Sequence, residues 1–164
     1  MSVITEDMKA IVESSRLGFV ATTCSDGSPN LSPKGSIRVF DDDHLIFANI
    51  ASPTTLANLR RDPRTEVNCV DFLRRRGYRF KGTAEIVEPG ADPRYQMIAS
   101  WLLETHGPDI PALQAVVVTV DRALPVDSPA YTFLGASEAE LVRGWTEKYT
   151  GLRVERAAIR GRLV

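Results

Sequence analysis

Apolar residues recur at helical spacing at Ile4, Met8, Ile11 and Val12, with Thr5 where an N-cap belongs, so the chain is expected to open with an amphipathic helix. Leu17 to Thr23 is mostly apolar, uncharged and rich in β-branched residues, which predicts a strand. Asp26-Gly27 is a hairpin signal, after which the chain returns through Asn30 and Leu31. A third strand, Ser36 to Phe40, turns at Asp41-Asp42-Asp43 and pairs with His44 to Ile50.

A helix then starts at Ser52, turns Leu56 and Leu59 inward, and ends with Arg60 and Arg61 before Asp62-Pro63. Cations in the last turn suit the helix dipole, and Pro63 blocks continuation. Thr65 to Asp71 and Gly77 to Val87 read as strands joined by an arginine-rich loop. Asp92-Pro93 repeats the cap-plus-proline signature, with Tyr95, Ile98, Ala99 and Leu102 on one helical face. Gln114 to Val120 is almost unbroken apolar sequence and should be a strand buried on both faces. Ser137 and Glu140 form a capping-box pattern, Leu141, Trp145 and Tyr149 an apolar stripe, and Gly151 a C-terminal cap. That predicts a helical extension over 137–150.

The expected architecture is one domain, 1–164, mainly β with helices (α+β). About six strands arranged mostly as hairpins favour a small antiparallel barrel flanked by α-helices. No G-x-G-x-x-G follows a strand, against a dinucleotide-binding fold.

A formal charge of −1 argues against nucleic acid as a partner. Acidic residues Glu6, Asp7 and Glu13 interrupt the first helix, and no stretch reaches membrane-spanning length. Cys24 and Cys69 are the only cysteines and match no metal or redox spacing, so reduced thiols in a cytoplasmic protein are expected.

Candidate chemistry concentrates at the second helix start. Ser52, Pro53, Thr54 and Thr55 bring hydroxyls and free backbone N–H groups to one helix N-terminus, an arrangement that favours an anion. Upstream, Lys34 and Arg38 supply cations that could pair with the same anion. Period-2 alternation puts Arg79 and Lys81 together on one strand face, where they need water or an anion. His44 and His106 are too few and too separated for a histidine metal site and read as surface or capping residues. Three consecutive acids at Asp41–Asp43 cannot all face one ion. Trp101, Trp145 and Tyr149 sit at helical spacing that favours packing over ligand stacking. No residue pattern marks an activated nucleophile or an acid–base pair, which is the profile of a protein that leaves its chemistry to a cofactor.

Several segments, taken in order, resemble the pyridoxamine 5′-phosphate oxidase-related, FMN-binding split-barrel superfamily. They are Leu17-Gly18-Phe19-Val20-Ala21-Thr22, Asp26-Gly27-Ser28-Pro29-Asn30, Ser32-Pro33-Lys34-Gly35, Leu45-Ile46-Phe47-Ala48, Asn58-Leu59-Arg60-Arg61-Asp62-Pro63 and Gly82-Thr83-Ala84-Glu85. The resemblance implies a homodimer with FMN at the subunit interface. It places the phosphate against Lys34, Arg38, Ser52, Thr54 and Thr55, and the backbone around Ala48 and Asn49 beside the flavin ring. Arg79 and Lys81 join these as cofactor-binding candidates. The chain differs from the oxidase itself in having Thr54 and Thr55 where an Arg-Lys pair stands, and in lacking its C-terminal Trp and Arg. The leading expectation is an FMN-dependent oxidoreductase acting on a small molecule. A deazaflavin coenzyme, its longer anionic tail held by Arg60, Arg64 or Arg74 to Arg76, is the alternative, as is a flavin-binding or flavin-sequestering protein without turnover.

Overall fold

Backbone hydrogen bonds of Cys24 N–H to Ser28 O and Gly27 N–H to Cys24 O close the first hairpin, and Gly27 takes the positive φ of 84° that the turn requires. The hairpin joins β1 (Gly18–Thr23) to β2 (Pro29–Lys34). The computed structural model describes residues 2–160, so Met1 and 161–164 of the expected domain lie outside the described residues. Before β1, α1 (Glu6–Ser15) starts at Thr5, whose hydroxyl accepts from Met8 N–H. Two further hairpin pairs follow: the short β3 (Arg38–Val39) with β4 (His44–Asn49), and β5 (Arg64–Asp71) with β6 (Arg76–Val87). Between them lies α2 (Pro53–Arg61), and α3 (Pro93–His106) leads into β7 (Gln114–Pro125). The chain ends in α4 (Pro129–Phe133) and α5 (Glu138–Arg160).

The seven strands form one antiparallel sheet in the order β2-β1-β5-β6-β7-β4-β3, curled into a split barrel. The count exceeds the expected six by one, the return after Asp26-Gly27 forming a full strand, while the expected Ser36–Phe40 strand is reduced to Arg38–Val39. Two apolar layers result. Val20, Phe47, Val67, Phe80, Val116 and Val118 fill the inside of the curl, closed by Ile4 and Val12 of the N-terminal segment and by Leu56 and Leu59 of α2. Ile46, Ala48, Ala115 and Val117 point the other way, beneath Ile98 and Leu102 of α3. β7 is thus buried on both faces, as its unbroken apolar run predicts. It is covered by this chain itself, so Ala115 to Val118 present no apolar surface to a partner.

Other differences are local. The C-terminal helix does not stop at Gly151, which lacks the positive φ of a C-terminal cap; it begins at Glu138, behind the Ser137–Glu140 capping box, and runs to Arg160. The short α4 begins at Ser128-Pro129, a cap-plus-proline signal like those of α2 and α3. Trp145 and Tyr149 of α5 pack on the β5–β6 hairpin, with Tyr149 edge-on to Phe72 and the Arg75 guanidinium 4.2 Å from the Trp145 ring centre. No helix among the described residues is long and apolar enough to cross a membrane.

Gly82 sits at the β-bulge where β6 shifts register against β7. A Cβ there would lie 1.9 Å from Thr119 O, inside any tolerable contact. Gly82→Ala should therefore cost about 2 kcal/mol or more, the upper part of the range for overpacking. An unchanged urea-unfolding midpoint would show that the two strands can part without penalty.

Candidate functional site

One end of the barrel interior is polar. Alternation along β2 turns Asn30, Ser32 and Lys34 inward and Leu31 and Pro33 outward. Asn30 Nδ2 donates to Thr22 Oγ1 (3.0 Å) and Thr55 Oγ1 (3.3 Å), and Asn58 Nδ2 donates to the same Thr22 oxygen (3.0 Å). Thr22, Thr55 and Asn58 are buried, so these bonds satisfy groups that would otherwise be costly. They fasten the first turn of α2 to β1 and β2.

Lys34 is the unusual member. Its residue is 6% exposed, and its Nζ donates to Ser52 Oγ (2.5 Å), Ser32 Oγ (2.6 Å) and, more distantly, Pro33 O (3.5 Å). The Phe47 ring lies beneath, its centre 6.0 Å from Nζ. Among the described residues no carboxylate pairs with this ammonium, and burial holds it below the ordinary lysine value of 10.5. A buried cation without a counter-ion costs several kcal/mol. The two serine hydroxyls solvate this charge without neutralising it.

The N-terminus of α2 stands beside it. Pro53 occupies the first turn, and the first backbone bond of the helix is Leu56 N–H to Ser52 O. The N–H groups of Thr54 and Thr55 precede that bond, where a helix offers unpaired donors and the positive end of its dipole. Ser52 is at the cap position but makes no side-chain cap bond; its hydroxyl is turned to Lys34 instead. Thr54 is exposed, while Thr55 faces the buried network. Lys34, Ser52 and the helix start therefore converge as the sequence predicts.

The remaining candidates separate. Arg38 pairs across from Ile46 on the α3 side of the sheet, and its guanidinium stacks 3.8 Å from the Trp101 ring centre while donating to Ile37 O (2.6 Å). Ile46 is three strand residues, about 10 Å, from the end of β4. Arg38 also donates to Gly35 O (3.4 Å), beside Lys34 in the chain, so its guanidinium is held by backbone oxygens and the Trp101 ring rather than turned to Ser52. Arg79 and Lys81 lie on the outer face of the sheet, where Glu66 takes Lys81 at 3.1 Å and Arg79 at 3.9 Å. Lys81 lines an open groove of about 600 Å3 with Thr23, Arg64, Glu66 and Arg122. Ala48 N–H donates to Ser36 Oγ (3.0 Å), and the Asn49 side chain is engaged with Ser52 N–H and Gln114.

The loose arginines are also engaged: Arg60 with Glu88, Arg64 with Asp62, Arg74 with Asp71 and Glu138, and Arg76 with Asp7 and Glu138. His44 pairs with Asp41 (2.7 Å), and His106 lies against Thr105 and Trp101. Among the described residues no group of metal-ligating side chains gathers. Burial pushes the Cys69 thiol up to about 12, so it is not a ready nucleophile. Sequence reasoning missed Asn30, Ser32, Thr22, Asn58 and Gln114. The signal for the first two was present: an inward strand face reading Asn-Ser-Lys at alternate positions is polar where a core strand would be apolar.

A family model described as pyridoxamine 5′-phosphate oxidase matches residues 4–127. An uncharacterised protein of Methanocaldococcus jannaschii is 31% identical over 122 residues, 71% of this chain and 76% of that one. Among solved structures, Group A Streptococcus HupZ superposes with a TM-score of 0.67 at 34% identity, covering 76% of this chain and 95% of the other. An FMN-binding protein from Syntrophomonas wolfei gives 0.61 at 19% identity, with 75% and 86% covered. An F420 reductase gives 0.57 at 21%, with 73% and 98% covered. The last two share the fold.

Removing the unneutralised charge gives a direct test. In ligand-free protein Lys34→Met should leave the melting temperature unchanged or raise it, and a loss above about 1 kcal/mol would mean that the chain itself already neutralises the ammonium. Because the folded state sheds this proton before the unfolded chain does, the unfolded state binds more protons just below pH 10.5. The stability of the wild type relative to Lys34→Met should thus rise with pH as 10.5 is approached.

Proposed function

The chain belongs to the pyridoxamine 5′-phosphate oxidase family, and from that premise we propose that it binds FMN, phosphate down, at the N-terminus of α2. The observation that carries the reading is Lys34, a buried cation lacking an anion and aimed at Ser52. A phosphate there would gain charge-assisted hydrogen bonds from the ammonium and the Thr54 and Thr55 N–H groups, each about 1.5–3 kcal/mol. The bound flavin would supply hydride-transfer chemistry, making the protein an FMN-dependent oxidoreductase of small molecules. The chain's own residues would hold the phosphate, fix its depth and keep water from the barrel end. Two free cysteines fit a reducing, cytoplasmic setting.

FMN is preferred over a deazaflavin coenzyme with a longer anionic tail. Such a tail calls for extra cations, and the arginines suited to it are already paired with carboxylates. An oxidised-flavin absorbance band in the purified or FMN-reconstituted protein is expected; a deazaflavin band with no FMN binding would reverse the assignment. Lys34→Ala should weaken FMN at least tenfold, about 1.4 kcal/mol. Arg38→Ala, its guanidinium already held by Trp101 and the Gly35 and Ile37 carbonyls, should change affinity by less than about threefold in the same fluorescence titration, since no phosphate bond of the 1.5–3 kcal/mol kind is lost.

We further propose a homodimer through the outer face of the sheet. The strand register lines up Pro33, Phe19, Asn68, Arg79 and Leu124 in one row and Leu31, Ala21, Glu66, Lys81 and Arg122 in the next. Phe19, Leu31 and Leu124 are exposed there. An apolar strip carrying both signs of charge suits a second copy of itself. Light scattering should give about twice 18.1 kDa, falling to one copy in Phe19→Asp/Leu31→Asp. A wild type of single-copy mass at micromolar concentration contradicts the dimer.

A further inference from the structure

The buried amide of Asn49 is 5% exposed and has both ends committed. Its Oδ1 accepts from Ser52 N–H (3.2 Å), and its Nδ2 donates to Gln114 Oε1 (2.8 Å), directly opposite across β4 and β7. Gln114 Nε2 in turn donates to Glu88 Oε2 (3.1 Å), and Arg60 of α2 donates to the other oxygen of that carboxylate (3.3 Å). The polarity of this chain of bonds follows from its outer end. An ionised carboxylate only accepts, so Gln114 must turn its NH2 to Glu88 and its oxygen to Asn49. Asn49 must then turn its NH2 to Gln114, which leaves its oxygen for Ser52 N–H. Reversal of Gln114 alone would set NH2 against NH2 at Asn49, and reversal of both amides would set the Asn49 NH2 against Ser52 N–H.

We infer that Asn49 and Gln114 are positioning residues for the anion site, with Glu88 setting their orientation. Held by its N–H, Ser52 adopts φ −130° and ψ 62°, forgoes its own cap bond and presents its hydroxyl to Lys34. The cap bond is given up so that the hydroxyl, the ammonium and the α2 N–H groups share one focus. Neither amide touches the ligand. The inference rests on the phosphate reading above and adds to it the source of the site's geometry.

The test compares equilibrium dissociation constants for FMN and for riboflavin, which has the same ring and no phosphate. Gln114→Leu should weaken FMN at least fivefold and leave riboflavin within twofold. The exchange Glu88→Gln/Gln114→Glu keeps Asn49 as donor to position 114 while reversing the bond between 114 and 88, and should bind FMN within twofold of wild type. Should Gln114→Leu fail to fold, the exposed substitution Glu88→Lys decides: it adds a cation yet should weaken FMN, because a donor at that end reverses both amides. Wild-type FMN affinity in Gln114→Leu, equal loss of both ligands, or tighter FMN binding in Glu88→Lys overturns the positioning role. A wild type that does not favour FMN over riboflavin overturns the phosphate reading and this inference with it.

Discussion

The Lys34 ammonium is taken out of water by the curl of the sheet, yet nothing in the described chain carries the opposite charge to it. Everything nearby is arranged around that fact. Ser52 gives up capping α2 to accept from it, Ser32 turns inward beside it, and the Asn30–Thr22–Thr55–Asn58 network fixes the helix turn that faces it. A stable protein without a ligand would place Leu or Met at this position and extend the apolar interior over Phe47. Local rules broken at one place, in a chain that obeys them elsewhere, are the physical ground for the anion site proposed there.

The same sheet keeps this polar end separate from its apolar layers. Strand side chains alternate between faces, so β4 can give Leu45 and Phe47 to the barrel interior and Ile46 and Ala48 to α3. A one-residue slip of β4 would exchange its two sets, as a slip of β6 would bury Lys81 and one of β2 would expel Lys34. The bulge at Gly82 and the long β6–β7 ladder pin that register. The charged outer face and the buried cation are two consequences of one pleat.

Much of the fold was legible because its signals are local. Asp26-Gly27, Thr5, Asp92-Pro93 and Ser137 with Glu140 each act within a few residues, and each stands where its chemistry places it. The helix start at Ser52 was legible for the same reason. Arg38 was not: its neighbour is Trp101, far along the chain, and the two meet only once α3 lies on the sheet. The run Arg74–Arg76 looked free in sequence, but Asp7, Asp71 and Glu138 come to it from α1, β5 and α5. Charge is visible in a sequence, whereas neutralisation is a tertiary property. Lys34 and Arg38 look equivalent as letters, and only burial and partners tell them apart.

The most direct test of the account is a crystal structure of the protein grown with FMN. The account predicts phosphate oxygens within hydrogen-bonding distance of Lys34 Nζ and of the Thr54 and Thr55 N–H groups, with Arg38 still stacked on Trp101. FMN seated with its phosphate on Arg79 and Lys81, or on Arg38, with Lys34 still bonded only to serines, would contradict it.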